Sequence, residues 1–180
     1  MNHLKMVHLL MEQTIRPDDH VLDMTLGNGH DMKKLLSCLE DGAKLTGFDI
    51  SESALTTCRS IAEQYPEITA DLRLDSHEHC ENVDPFRFAV YNLGYLPGSD
   101  KKVTTRAAST IASLKTLLPK LLPDGMICVT AYRTHDGAEE ANALRDWLLS
   151  QKEVSVRSWQ RLPDDGHAPI LYVLYKEERP

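Results

Sequence analysis

Asp23-Met24-Thr25-Leu26-Gly27-Asn28-Gly29-His30-Asp31 is the stretch around which this chain is organised. It follows the apolar pair Val21-Leu22 and precedes an amphipathic segment from Met32 to Leu39. An acidic residue closing a strand, a glycine loop and a helix start make the strand–turn–helix unit of open α/β sheets. In such sheets ligands sit at the carboxyl ends of the strands. Glycine lets backbone amides approach a ligand that a side chain would hold off. The loop is not the dinucleotide fingerprint G-x-G-x-x-G, because the third glycine is missing, and it lacks the G-K-[ST] of a P-loop. Alone, it also fits a purely structural turn.

The 180 residues suffice for one domain with a proper core, and we read 1–180 as a single domain. Hydrophobic residues at 42% and charged ones at 26% are ordinary for a soluble globular protein. Apolar runs such as Ile170 to Tyr175 are too short to span a bilayer, and no secretory signal opens the chain, so a cytoplasmic location is expected. Cys38, Cys58, Cys80 and Cys128 form no C-x-x-C pair and lie in or beside apolar segments, which predicts reduced packing cysteines. A net charge of −7 argues against a broad nucleic-acid surface while leaving room for a local basic patch.

Outward from the loop, His3 to Gln13 carries apolar residues at helical spacing, and Val21 to Met24 reads as the first strand. Lys44 to Asp49 is a second strand closed by another acid. Ser51-Glu52-Ser53 caps a helix that Tyr65-Pro66 stops. Ile68 to Leu74 and Phe86 to Tyr91 follow as strands, the latter opening into a loop, Asn92-Leu93-Gly94-Tyr95-Leu96-Pro97-Gly98. A helix from Thr104 or Thr105 to about Leu118, with Pro119 kinking its last turn, precedes the turn Pro123-Asp124-Gly125. Met126 to Ala131 is a fifth strand, Asp136 to Ser150 a helix, and Val154 to Trp159 with Ile170 to Tyr175 a closing hairpin. Strands alternating with helices predict a mostly parallel α/β sheet with an antiparallel C-terminal edge and helices on both faces.

Asp49 is placed to accept both hydroxyls of a ribose, or else to start the helix behind it. Ser76 and His77, at the end of the third strand, border the position of a nucleoside base. His77-Glu78-His79-Cys80 is not a metal site by spacing, since adjacent residues on an irregular segment rarely converge on one ion. Asn92 and the glycines after it stand at the open end of the central strand, where they can orient a nucleophile. Lys101, Lys102 and Arg106 are the densest basic cluster near this site, suited to phosphate or simply to solvent. His135 and His167 are candidate bases or phosphate donors, although each alone more often fills a surface or capping role.

Taken together, Asp-x-Thr-x-Gly-Asn-Gly-x-Asp from Asp23, Gly47-Phe48-Asp49-Ile50, Ser76-His77-Glu78, Asn92-Leu93-Gly94-Tyr95-Leu96-Pro97-Gly98 and His167-Ala168-Pro169 resemble a small group of Rossmann-like class I methyltransferases. The group is often labelled as rRNA methylases, and the resemblance covers essentially the whole chain. Its better-understood members look like tRNA methyltransferases that convert 5-aminomethyl-2-thiouridine at the wobble position to the 5-methylaminomethyl form. The resemblance implies S-adenosylmethionine as cofactor, with Asn28, His30, Asp49, Ser51, Ser76 and His77 as contacts. Asp23, Gly27, Gly29 and Asp31 complete the loop that would hold its amino-acid end. Asn92, Leu93, Gly94 and Tyr95 would line the methyl-transfer corner, in the place of the Asn-Pro-Pro-Tyr loop of other nitrogen methylases.

The tRNA anticodon region and a second copy of the chain are the implied partners. Ser51 stands where a glutamine is usual, Arg133-Thr134-His135 where His-Gly-His is usual, and Ser99 where a glycine is usual. No protein nucleophile is needed for such a transfer; the enzyme positions and desolvates two reactants. Asp100, His135 and His167 all remain open as proton acceptors. Other readings of the same residues are a methyltransferase of rRNA or of a small amine, and a non-catalytic binding module. A nicotinamide oxidoreductase is disfavoured by the missing third glycine.

Overall fold

The computed structural model describes residues 2–93, 107–132, 138–162 and 168–176. In chain order its elements are α1 (His3–Thr14), β1 (His20–Asp23), α2 (His30–Leu36), β2 (Lys44–Asp49), α3 (Glu52–Ala62), β3 (Thr69–Leu74) and β4 (Phe86–Leu93). They continue with α4 (Ala107–Leu117), a 3-10 turn (Leu118–Lys120), β5 (Leu121–Ala131), α5 (Ala138–Leu149), β6 (Ser155–Trp159) and β7 (Ile170–Tyr175). The seven strands form one sheet in the order β3-β2-β1-β4-β5-β7-β6. The first five are parallel, while β7 runs antiparallel to both β5 and β6, so the closing pair makes the expected antiparallel edge.

Side chains on a strand alternate between faces, and β4 uses both. Phe88 and Val90 pack in one core with Val7 and Met11 of α1, Met32 and Leu35 of α2, and Leu55 of α3. Ala89 and Tyr91 pack in the other with Leu114 and Leu117 of α4 and Leu144 and Leu148 of α5. Helices therefore cover both faces, and β4 is buried from Phe86 to Tyr91, as a central parallel strand must be. No helix among the described residues is long and apolar enough to cross a membrane. The four cysteines are free, and three of them are buried packing residues, as expected.

Four local expectations are corrected. Asn92 and Leu93 are the last residues of β4, paired with Thr130 and Ala131, and not the start of a loop. Pro119 belongs to the separate 3-10 turn, where its missing N–H costs nothing, and it does not kink α4. The Pro123-Asp124-Gly125 signal lies inside β5 instead of before it. Its irregular backbone stays in the sheet because Asp124 N–H donates to the Lys176 carbonyl at 2.9 Å and Lys176 N–H to that of Gly125 at 3.2 Å. Asp124 takes φ 58°, and a Cβ on Gly125 would lie 2.8 Å from the carbonyl oxygens of Arg87 and Leu122, so only glycine fits there. Finally, Ser51 is the N-cap of α3 by position, but its hydroxyl bonds to that of Ser53 at 2.8 Å and caps no amide.

At the amino edge of the sheet, Arg87 Nε lies 3.2 Å from both oxygens of buried Asp19, and its guanidinium also donates to the Pro123 carbonyl. Asp19 accepts the Arg16 amide as well, at 2.7 Å. This cluster faces away from the strand ends described next.

Candidate active site

Three adjacent strands, β2, β1 and β4, deliver Asp49, Asp23 and Asn92 to the carboxyl edge of the sheet. The register sets Asp23 beside Gly47 and Val90, so Asp49 and Asn92 each reach two residues beyond it. With strands about 4.8 Å apart and a rise of about 3.3 Å per residue, Asp23 forms a floor roughly 7 Å below two walls roughly 10 Å apart.

The loop between β1 and α2 is shaped by its glycines. Gly27 and Gly29 have φ 49° and 74°, a region that L side chains rarely adopt, and Gly29 is the N-cap of α2. A Cβ on Gly29 would sit 2.4 Å from Ile61 Cδ1 and 3.2 Å from Cys58 Sγ, so α3 packs directly under the turn. Gly47 of β2 likewise leaves room for Leu26, whose Cδ2 would be 2.6 Å from a Cβ there. Asn28 and His30 are exposed on this loop.

Asp49 ties the end of β2 to the loop after β1. Its Oδ2 accepts the Gly27 amide at 2.8 Å and its Oδ1 the Ser51 amide at 2.9 Å. Each carboxylate oxygen retains a second lone pair. Asp23 is 1% exposed; its Oδ1 accepts the Thr25 amide at 3.1 Å, while Oδ2 has no partner among the described residues. Burial, with the nearby charges of Asp31 and Asp49, pushes the Asp23 carboxyl up to about 8.

Asn92 is held on two sides. Its backbone amide donates to Thr25 Oγ1 at 2.8 Å, and its side-chain Nδ2 lies 3.4 Å from Asp31 Oδ2. The other oxygen of Asp31 lies 2.9 Å from His8 Nε2. His8 belongs to α1, which also places His3 Nε2 3.3 Å from Tyr132 Oη just past β5. Burial holds the His3 ring below its ordinary pKa and the Tyr132 hydroxyl above its own. These α1 residues were not singled out from the sequence, where the helix reads only as an apolar stripe. The available signal was two histidines on one helix ahead of the glycine loop.

Beyond β3, Ser76 Oγ accepts the Glu78 amide at 3.4 Å. His77 turns inward: its ring meets Tyr91 edge-on at 5.6 Å, its Nε2 is buried without a partner among the described residues, and burial lowers its pKa. Tyr91 in turn shares a 2.6 Å hydrogen bond with Ser113 of α4. His79 instead points outward and bonds Asp75 at 2.8 Å, so the two histidines diverge. Among the described residues no three metal-ligating side chains converge. Gly94, Tyr95, Asp100, Lys101, Lys102, Arg106, His135 and His167 lie outside the described residues.

This strand order, with a glycine loop after β1, an acid closing β2 and helices on both faces, is the architecture of the class I methyltransferases. Within that class, the chain belongs to the family described as "Putative rRNA methylase", whose model matches residues 45–175. It is 27% identical to a chloroplastic tRNA (mnm(5)s(2)U34)-methyltransferase of Arabidopsis thaliana, over 97% of this chain and 69% of that protein. Among solved structures it superposes on a "putative rRNA-methylase" of Clostridium thermocellum with TM-score 0.92 and 27% identity, over 98% of each chain. A "putative methyltransferase" of Streptococcus mutans in complex with SAH gives TM-score 0.87 at 27% identity, again over 98% of each chain. The chain is an S-adenosylmethionine-dependent methyltransferase.

Proposed function

We propose that the enzyme methylates an exocyclic amine of RNA, namely the 5-aminomethyl group of 5-aminomethyl-2-thiouridine at the tRNA wobble position. The observation that carries an amine as nucleophile is the orientation of Asn92. Its Nδ2 donates to Asp31 Oδ2 at 3.4 Å. The amide oxygen is thereby left to accept an N–H from an incoming amine. Leu93, next on the same strand, and Gly94 and Tyr95, which lie outside the described residues, are the other residues proposed for this corner. The tRNA assignment rests on likeness to the Arabidopsis tRNA methyltransferase, across nearly all of this chain.

The unpartnered Asp23 Oδ2 on the floor fits the ammonium of the cofactor's amino-acid end, with Gly27, Asn28, Gly29, His30 and Asp31 around it. The free lone pairs of Asp49 fit the ribose hydroxyls, and Ser51, Ser76 and the orphaned Nε2 of His77 fit the adenosine side. The cofactor, when bound, supplies an electrophilic methyl group. The chain's own part is to hold the amine as its free base, in line and out of water. Lys101, Lys102 and Arg106 are the proposed phosphate contacts, and Asp100, His135 and His167 the proposed proton acceptors. In this reading the enzyme works in the cytoplasm as a homodimer, which light scattering would test.

The acidic balance of the whole chain, −7, favours as second reading a small-molecule amine that needs no phosphate contacts. Nucleoside mass spectrometry of tRNA from a strain lacking the gene separates the two. Loss of the methylaminomethyl nucleoside with build-up of the aminomethyl one is expected. An unchanged wobble-uridine profile would refute the tRNA reading.

A further inference from the structure

We propose that His8, on the N-terminal helix, is a positioning residue of the methyl-transfer corner: acting through Asp31, it fixes the Asn92 side chain with its oxygen turned towards the incoming amine. The proposal rests on the reading of Asn92 as the group that orients the amine. Asp31 is an acceptor on both sides, so His8 Nε2 and Asn92 Nδ2 must both donate to it, at 2.9 and 3.4 Å. The Asn92 bond is the longer of the two. It depends on the carboxylate keeping the plane that His8 imposes, because a terminal carboxylate torsion has broad, shallow preferences of its own.

The docking of α1 makes this hold firm. Val7 and Met11 are buried against the sheet at 1% and 0% exposure, and Glu12 pairs with Lys34 of α2 one turn beyond His8. Thr14 Oγ1 donates to Met126 Sδ at 3.3 Å and His3 meets Tyr132, which ties the two ends of the helix to β5 and the residue after it. His8 and Glu12 on α1 thus face Asp31 and Lys34 on α2 as two rungs of one ladder. Asp31 itself is nearly buried, with 11% of its side chain exposed, so few waters can replace the His8 bond.

The test compares His8→Leu, which removes the donor, with His8→Gln, which keeps one. In cofactor-free, 15N-labelled protein, the side-chain amide pair of Asn92 is expected to shift and broaden in the Leu variant and to stay in place in the Gln variant. With cofactor and RNA substrate, His8→Leu should lower kcat by about ten- to a hundredfold. KM for RNA should be unchanged, and His8→Gln should recover most of the rate. Unmoved Asn92 signals in His8→Leu would overturn the proposal. So would equal loss of rate in both variants accompanied by loss of thermal stability, which marks a packing role. If no tRNA is methylated even by the unaltered enzyme, the substrate reading fails, while the Asn92 amide signals still decide the role of His8.

Discussion

The amide of Gly27 donates to Oδ2 of Asp49 at 2.8 Å, which makes the loop after β1 and the end of β2 one unit. Since Asp49 Oδ1 also accepts the Ser51 amide, a single side chain satisfies backbone donors on the loops after β1 and β2. Asp49→Ala should therefore lower stability by about 1–3 kcal/mol, reduced from the full worth of two charge-assisted bonds because the site is partly open to water. Its larger effect should be on cofactor affinity, by more than about tenfold, from lost loop order and lost ribose acceptors. Asp49→Asn, which keeps one acceptor oxygen, should fall between. Calorimetry and thermal denaturation read the two effects separately.

The two glycines of the loop should respond differently to alanine. At Gly27 a Cβ meets nothing nearer than 3.9 Å, so Gly27→Ala carries only the strain of φ 49°, about 1 kcal/mol. Gly29→Ala adds a 2.4 Å clash with Ile61 Cδ1 to the strain of φ 74°, and should cost about 2–4 kcal/mol. Ile61→Ala in the Gly29→Ala background relieves the clash and not the strain. Partial recovery of the melting temperature in the double variant is the expected sign.

Asp23 predicts two slopes of opposite sign against pH. The folded protein keeps its proton up to about pH 8, whereas the unfolded chain releases it near 3.8. Across that window the folded state binds more protons, so this contribution to stability declines as pH rises. Asp23→Asn should melt above the unaltered protein at pH 8, with the difference closing towards pH 4. Affinity for a cofactor ammonium should instead rise with pH, by up to about tenfold per unit, and level off near 8. Calorimetry in buffers of different ionisation heat should detect the proton released on binding. His77 acts on the acid side: its burial favours the neutral ring, so its contribution is lost as pH falls through about 6.5.

The Arg87–Asp19 pair provides a control for all of these. Arg87→Met leaves a buried carboxylate without its partner and should cost about 3–5 kcal/mol. The cluster lies at the opposite edge of the sheet from Asp23 and Asn92. Cofactor affinity of the folded variant, measured well below its melting temperature, should not change.

What the sequence disclosed follows from what is local. Asp23, Asp49 and Asn92 could be placed at strand ends because each closes an apolar run, and strand order then makes them neighbours. Composition could not reveal that Pro123-Asp124-Gly125 stays in the sheet, since the Lys176 backbone that holds it is remote in sequence. The same limit hid His8, whose role is defined by an acid 23 positions away. Ser51 looked like a helix cap by residue type, but Ser53 took its hydroxyl. Asn92 was read as loop because asparagine and glycine favour turns, whereas pairing with β5 carries the strand through Leu93.

That last difference reaches beyond secondary structure. An asparagine on a surface loop is free to sample many poses at little cost to the rest of the molecule. Asn92 instead continues a strand whose six preceding residues are all buried, and its amide is locked to Thr25. The position of its backbone can be lost only by opening the middle of the sheet, so this post is as durable as the fold itself. Adaptation to a new substrate would have to work around a fixed post, reshaping what approaches Asn92 and leaving the post where it stands.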